Sequence, residues 1–343
     1  MIAPSEHPDF DAHAAVCFLH DAKTGARAIV ALHRVDPTGT YPSVGGCRMR
    51  AYATTEEALG DALRLSRGMS SKCAVTGLPF GGAKAVVLGV PEPSARRAVL
   101  DSLAGFVNGF GGRFRTGVDV GLSACDVETM RTATPWMVGT GPIRPDALTA
   151  DGVFATLKRA VRHRLGRGGL GGTTIGVQGL GKVGLRLARL LLDDGARVLG
   201  GDVDRAANEE AASLGVEIVD PATLIGLDVD VLAPCALGGV IRSDTVGAIR
   251  ARVIAGSANN QLATGDMGNA LHERGIFYVP DYLANAGGLI AVAMQIEGRD
   301  EAWAHSQAAG LADRLDEIVA TADSLGLSNA AAAEQLAADR RAP

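Results

Sequence analysis

The chain has 343 residues, is 47% hydrophobic and only 21% charged, and carries a formal net charge of −5. That length leads us to expect two domains with full hydrophobic cores, and the composition excludes a disordered chain. The acidic balance gives no electrostatic case for nucleic acid or an anionic membrane, and no apolar run approaches the ~20 residues of a membrane span.

The first sixteen residues, MIAPSEHPDFDAHAAV, carry acids and histidines where a secretion signal would carry lysines and an apolar core. The expected location is therefore cytoplasmic. The five cysteines, Cys17, Cys47, Cys73, Cys125 and Cys235, are odd in number and show no C-x-x-C spacing, so no disulfide framework and no zinc site is indicated. The seven histidines are scattered, and we expect no metal.

Residues 15–34 alternate apolar runs around a D-A-K-T-G turn and predict a β-hairpin. Residues 54–70 predict a helix, capped by Thr54 or Thr55, with Ala58, Leu59, Ala62 and Leu63 at helical spacing. A Gly-Gly-Ala-Lys turn is then expected to lead into a strand at 85–90, followed by a helix at 93–109 and a short strand at 114–120. The Gly/Pro-rich stretch 139–147 is the expected joint, giving domains at 1–140 and 141–295, with the remainder from 296 helical. After it, a helix at 149–165 precedes strands at 173–178, 196–202, 229–234, 252–257 and 276–279. These alternate with helical segments at 184–195, 205–214, 243–250 and 265–274. That alternation predicts an α/β fold with a parallel, doubly wound sheet.

Two features carry chemistry. Gly179-Leu180-Gly181-Lys182-Val183-Gly184 follows an apolar strand and opens a helix, the context in which G-x-G-x-x-G cradles a dinucleotide pyrophosphate. Asp202, eighteen residues after Gly184 and ending the next strand, suits the adenosine ribose hydroxyls and repels a 2′-phosphate, which favours NAD over NADP. Arg205 nearby would soften that preference, and Asp202 could instead cap a helix, as could Asp204. Earlier in the chain, Lys72 and Lys84 lie twelve residues apart in KCAVTGLPFGGAKAVV. Lys84, hemmed by Leu78, Pro79, Phe80 and Val86, is not placed as ordinary surface. Burial and a second cation disfavour its charged form and make it a candidate general acid and base. Asp119, in TGVDVG, is a candidate counter-charge or simply a turn aspartate.

These stretches, together with SVGGCRMRAY (43–52), LRLSRGMSSKCA (63–74), APCALGGVI (233–241), GSANNQL (256–262) and PDYLANAGG (280–288), occur in an order that resembles the amino-acid dehydrogenases acting on glutamate, leucine, phenylalanine and valine. The likeness runs from about Ala26 to Val292 and is closest to the leucine, valine and phenylalanine branch. It implies an N-terminal α/β substrate and oligomerisation domain and a Rossmann-type NAD domain, with the segment from 296 packing back on the first. It also implies a homo-oligomer and oxidative deamination of an L-amino acid.

By the resemblance, Lys84 and Asp119 are catalytic, Lys72 holds the substrate carboxylate, and Gly45 and Gly46 let the substrate approach. Asn260 orients it, and Val44, Met69, Val118, Leu289 and Val292 meet its side chain. Thr149, Ala236, Leu237 and Asn259 are implied beside the cofactor. The five side-chain contacts are all apolar, which argues against a dicarboxylic substrate and for branched-chain amino acids first and phenylalanine second. The chain departs from the family pattern at Ala83, where a third glycine is usual, and at Cys73, Val90 and the stretch before Thr149. A 2-hydroxy-acid dehydrogenase and a non-catalytic NAD-binding regulator remain as alternatives. No histidine in a candidate motif favours the former, and retention of Lys72, Lys84 and Asp119 opposes the latter.

Overall fold

The computed structural model describes residues 3–141 and 144–341. The chain divides into two compact units, the first reaching residue 142 and including the last residues from Arg340, the second spanning 143–339. The division falls within the expected joint at 139–147, of which Pro142 and Ile143 lie outside the described residues.

The first unit is built on a mixed six-stranded sheet. In chain order its elements are β1 (Ala15–His20), β2 (Arg27–Leu32), β3 (Ser43–Arg50), α1 (Thr55–Thr76), β4 (Gly81–Leu88), α2 (Pro93–Gly109), β5 (Phe114–Gly117), α3 (Ala124–Arg131) and β6 (Met137–Val138). The strand order is β1-β2-β4-β3-β5-β6, antiparallel from β1 through β4 and parallel from β4 through β6. Alternation along β4 sorts its side chains. Ala83, Ala85 and Val87 join one core with Leu100, Leu103 and Val107 of α2. Val86 joins the other with Ala58, Leu59, Ala62 and Leu63 of α1. Lys84 shares the parity of Val86 and so faces the α1 side.

Two expectations needed revision here. The Gly-Gly-Ala-Lys segment is strand rather than turn. A Cβ on Gly81 would lie 2.0 Å from Arg34 O, and one on Gly82 would lie 2.1 Å from Ser70 N, so these glycines serve close packing. The helix expected to stop at residue 70 runs on to Thr76, because Cys73 and Val75 keep burying apolar surface, and Gly77 ends it with φ 74°. Lys72 is therefore inside the helix, near its last turn.

The second unit holds α4 (Pro145–Leu165), β7 (Thr174–Gln178), α5 (Lys182–Asp193), β8 (Arg197–Gly201), α6 (Arg205–Ser213), β9 (Glu217–Ile218), β10 (Val231–Pro234), β11 (Val253–Ile254), α7 (Asp266–Glu273) and β12 (Phe277–Tyr278). It continues through α8 (Asp281–Ala284), α9 (Gly287–Glu297), α10 (Glu301–Leu325) and most of α11 (Asn329–Arg341). Its six strands are all parallel in the order β12-β11-β10-β7-β8-β9, the doubly wound arrangement whose order reverses between β7 and β10. The helix expected at 243–250 is only a 3₁₀ turn at Val246–Ala248. There the Thr245 hydroxyl accepts from Arg242 N–H at 2.9 Å and donates to Val240 O at 2.7 Å, so local bonds displace the helical ladder. Helix α10 packs along α4 and α9 inside this unit.

The N-terminal segment is pinned to α1 by two histidines. His13 Nε2 lies 3.1 Å from Leu63 O and 3.0 Å from Ser66 Oγ, and its ring meets that of His33 edge-on at 4.7 Å. His33 is fully buried. Burial first, then the neighbouring His13 and Arg34, push its pKa down to about 4 against the opposing pull of Asp11. A histidine lowered in the folded state is neutral there while the unfolded chain takes up a proton near pH 6.5. The stability it contributes is complete above pH 6.5 and is lost as pH falls towards 4. Urea denaturation should therefore show a loss on the order of 3 kcal/mol between pH 7 and 4 from this site. His33→Asn should flatten that slope, and an unchanged slope would contradict the assignment.

Candidate active site

In the first unit the ammonium of Lys84 forms an ion pair with Asp119 Oδ2, and their side chains are only 7% and 13% exposed. The other carboxylate oxygen of Asp119 accepts from Val120 N–H at 2.6 Å and from Arg48 Nε at 3.3 Å. Burial works against the charged carboxylate. The Lys84 charge and hydrogen bond, the Val120 amide and Arg48 outweigh it and hold Asp119 below the usual carboxylate range. The nearest partner of Lys84 is thus a carboxylate, not the second lysine.

The backbone around this pair is specified by glycines. A Cβ on Gly46 would lie 2.5 Å from Asp119 Oδ2, and one on Gly45 would lie 1.7 Å from Ala83 O, so only glycine lets β3 pass beneath the pair. Asp119 itself stands in a tight turn closed by Leu122 N–H to Asp119 O at 3.0 Å. Gly121 takes φ 78° there, and a Cβ on it would lie 1.9 Å from Met49 O. Val44 is buried on β3 in register with Gly82, next to this cluster. Met69 and Lys72 are half-buried and three residues apart, on one face of α1. Val118, adjoining Asp119, is 47% exposed.

Arg48 was missed in sequence. It links Asp119 to Asp61, whose Oδ2 lies 3.2 Å from Arg48 Nη1 and 2.7 Å from the Tyr52 hydroxyl. No local signal in the sequence reports it, because its partners Asp119 and Asp61 lie 71 and 13 residues away. Cys47, its neighbour, is fully buried, and burial first and Asp119 second push its thiol up to about 12, so it is no nucleophile.

The remaining candidates lie in the second unit, on the loops that follow its parallel strands and on α4, α5 and α9. Gly179 follows β7 with φ 96°, and a Cβ on it would lie 2.7 Å from the Cβ of Ala236, which follows β10. The two loops flanking the reversal point thus touch. A Cβ on Gly184 would lie 2.0 Å from Gly179 O, so the third glycine lets α5 close on β7. Gly181 differs: among the described residues nothing lies within 4 Å of a Cβ built there. Packing does not demand that glycine, and its bare backbone leaves the N-terminus of α5 open to a pyrophosphate. Leu180 is buried, whereas Lys182 is exposed and Val183 half-buried on the first turn of α5.

Asp202 closes the cradle. Its Oδ2 accepts from Leu180 N–H at 2.7 Å and its Oδ1 from Asp204 N–H at 2.9 Å. Capping of α6 falls to Asp204, which accepts from Ala206 N–H at 2.9 Å. Asp202 is thus free of that duty, and a carboxylate retains lone pairs for ribose hydroxyls. Arg205 is 93% exposed and bonded to Glu209 at 2.7 Å. These residues fit a dinucleotide.

Leu237 is 79% exposed beyond Ala236, and a Cβ on the following Gly238 would lie 2.3 Å from Asn259 O. Asn260 holds a left-handed conformation, φ 52°, unusual outside glycine, with its carbonyl bonded to Gly239 N–H at 2.7 Å. Asn285 Nδ2 donates to Asn259 Oδ1 at 2.8 Å. Thr149 lies on α4, its hydroxyl bonded to Pro145 O at 2.8 Å, and a Cβ on Gly287 would lie 2.1 Å from Thr149 N. Leu289 is buried and Val292 half-buried on α9. Among the described residues no group of three or more His, Cys, Asp or Glu side chains could hold a metal ion, and no helix is long and apolar enough to cross a membrane.

The family model "Glu/Leu/Phe/Val dehydrogenase, dimerisation domain" matches residues 14–142, and "Glutamate/Leucine/Phenylalanine/Valine dehydrogenase" matches 201–335. The chain is 37% identical to the leucine dehydrogenase of Geobacillus stearothermophilus over 331 residues, covering 95% of this chain and 89% of that protein. It is 39% identical to the valine dehydrogenase of Streptomyces coelicolor, covering 98% and 94%. The crystal structure of L-tryptophan dehydrogenase from Nostoc punctiforme superposes with a TM-score of 0.86 at 39% identity, covering 96% of each chain.

Replacing Asp202 by alanine removes the carboxylate while Asp204 still caps α6. NADH affinity should fall about tenfold, the worth of one charge-assisted hydrogen bond, and the gap between NADH and NADPH should narrow. Fluorescence titration with both nucleotides measures this, and unchanged affinities would remove Asp202 from the cradle.

Proposed function

The chain belongs to the Glu/Leu/Phe/Val dehydrogenase family, and from that premise we propose that it catalyses the reversible, NAD-dependent oxidative deamination of an apolar L-amino acid to its 2-oxo acid and ammonia. The observation that carries the proposal is the buried Lys84–Asp119 ion pair above a glycine pair that only an unsubstituted backbone could form.

Bound NAD would be held by the 179–184 turn and Asp202, with Thr149, Ala236, Leu237 and Asn259 nearby, and would supply the two-electron acceptor for the hydride leaving Cα. Lys72 pairs with the substrate carboxylate and fixes its orientation, with Gly45 and Gly46 giving close access and Asn260 orienting the substrate. Lys84, by passing its proton to Asp119, removes a proton from the water that attacks the imine carbon. Asp119 then returns protons to nitrogen, so that ammonia leaves as the carbonyl forms. A carboxylate held below its ordinary range by Lys84 and Arg48 is in the form that can receive the proton.

The proposed side-chain contacts, Val44, Met69, Val118, Leu289 and Val292, include no charge, which leaves a second substrate carboxylate without a partner. Branched-chain amino acids are the first choice and phenylalanine the second. The name L-tryptophan dehydrogenase on one relative adds tryptophan to the substrates to be tried. A homo-oligomer is the expected assembly, supported by the matched dimerisation-domain model, and the cytoplasm the expected location.

The test is NADH formation at alkaline pH with leucine, valine, isoleucine, phenylalanine, tryptophan, glutamate and alanine. Turnover on an apolar member, lowered at least a thousandfold in Lys84→Ala, is the expected result, on the scale of losing a general base and the groups it orients. Measurable NAD binding without turnover on any of the seven would refute it.

A further inference from the structure

The Lys84 strand and the Lys72 helix are tied together by a polar chain that the mechanism does not use. Ser70 lies on α1 two residues before Lys72, and Gly82 lies on β4 two residues before Lys84. Gly82 N–H donates to Ser70 Oγ at 3.1 Å. Ser70 Oγ lies 2.8 Å from His33 Nδ1, and His33 Nε2 lies 3.2 Å from Asp11 Oδ2.

The donors in this chain can be assigned. A carboxylate only accepts, so Nε2 carries the proton towards Asp11 and Nδ1 is left an acceptor. The Ser70 hydroxyl must then donate to Nδ1, which frees its oxygen lone pair for Gly82 N–H. Each group has one role, and they run in one direction: Gly82 N–H to Ser70, Ser70 O–H to His33, His33 Nε2–H to Asp11. The ring also closes through the backbone, because His33 N–H donates to Gly82 O at 2.8 Å. Both polar groups of the Gly82 peptide are therefore held by His33, one directly and one through Ser70.

The site has no slack. Ser70 and His33 are 3% and 0% exposed, so water cannot replace a lost bond cheaply. The missing side chain of Gly82 is what lets β4 and α1 come this close. We infer that Ser70 is a positioning residue: its hydroxyl, oriented by His33, sets β4 against α1 and thereby fixes the spacing of Lys84 and Lys72. This rests on the reading of those two lysines as the amino-acid site.

The experiment uses the full chain and the best substrate of the amino-acid panel, with kcat, KM and urea stability measured for Ser70→Ala, Ser70→Thr, His33→Asn and Lys84→Ala. Ser70→Ala should lower kcat on the order of a hundredfold, the scale for a 1 Å misplacement, while KM moves less than about threefold. Ser70→Thr keeps the hydroxyl and should recover most of the loss. His33→Asn keeps a side-chain acceptor for Ser70 and should be less impaired than Ser70→Ala. If Ser70→Ala does not fold, Ser70→Cys, close in volume but a weak acceptor, takes its place.

A purely structural role would move the urea midpoint and leave kcat per folded molecule unchanged, and that result overturns the inference. So does a Ser70→Thr protein as slow as Ser70→Ala, which would show that space rather than the hydroxyl matters. Lys84→Ala separates the two levels. If it retains turnover, the reading of the lysines fails and the inference falls with it. If it is silent while Ser70→Ala is normal, only the inference fails.

Discussion

A lysine and an aspartate in contact, both largely withdrawn from water, are the constraint around which the first unit is arranged. Taking two charges out of solvent costs several kcal/mol per ion, and the mutual attraction offsets this only if the remaining valences are met. Here they are met on the acidic side: the Val120 amide and Arg48 share the second oxygen of Asp119, and Arg48 is itself balanced by Asp61. Such an arrangement is hard to justify as a stabilising device, since apolar residues of similar volume would often do as well. It is easily justified as a proton-transfer pair, because a base and its proton acceptor must be in contact and shielded from bulk water.

The glycines follow from the same constraint. Gly45, Gly46, Gly82 and Gly121 each stand where a methyl group would strike a backbone atom or Asp119 itself. Three of them bring β3, β4 and α1 to within backbone contact of the pair or its supports. Gly121 additionally permits the left-handed turn that aims Asp119. In the second unit the three glycines of the 179–184 turn divide their duties differently. Gly179 and Gly184 are demanded by the protein's own packing, whereas no neighbour among the described residues demands Gly181. The unfilled requirement is the one that a bound pyrophosphate would explain.

Much of this was legible in sequence because it rests on local signals. The β7–α5 glycine turn, the helix at 93–109 and the β1–β2 hairpin follow from periodicity and turn chemistry, and the structure reproduces them closely. The parallel order of the second sheet follows from the alternation of strands and helices. What sequence could not show were the tertiary reasons for residues. The strand β3 carries two glycines and two arginines and has little strand signature, yet it is central because β4 and β5 pair with it on either side. Gly81 and Gly82 suggested a turn because their close neighbours, Arg34 and Ser70, are distant in sequence. Arg48 and His33 act through partners 71 and 37 residues away, which no local pattern reports.

The central claim is that Asp119 and Lys84 act as a proton-transfer pair and not as a structural ion pair. Its most direct test is Asp119→Asn, which keeps the side-chain shape and an acceptor for the Val120 amide while removing the base and the counter-charge of Lys84. The account predicts that turnover per folded molecule falls at least a hundredfold, the usual contribution of an acid–base group, while NAD affinity stays near that of the parent and the urea midpoint falls as the buried Lys84 loses its counter-charge. Turnover close to the parent in a folded Asp119→Asn protein would contradict it.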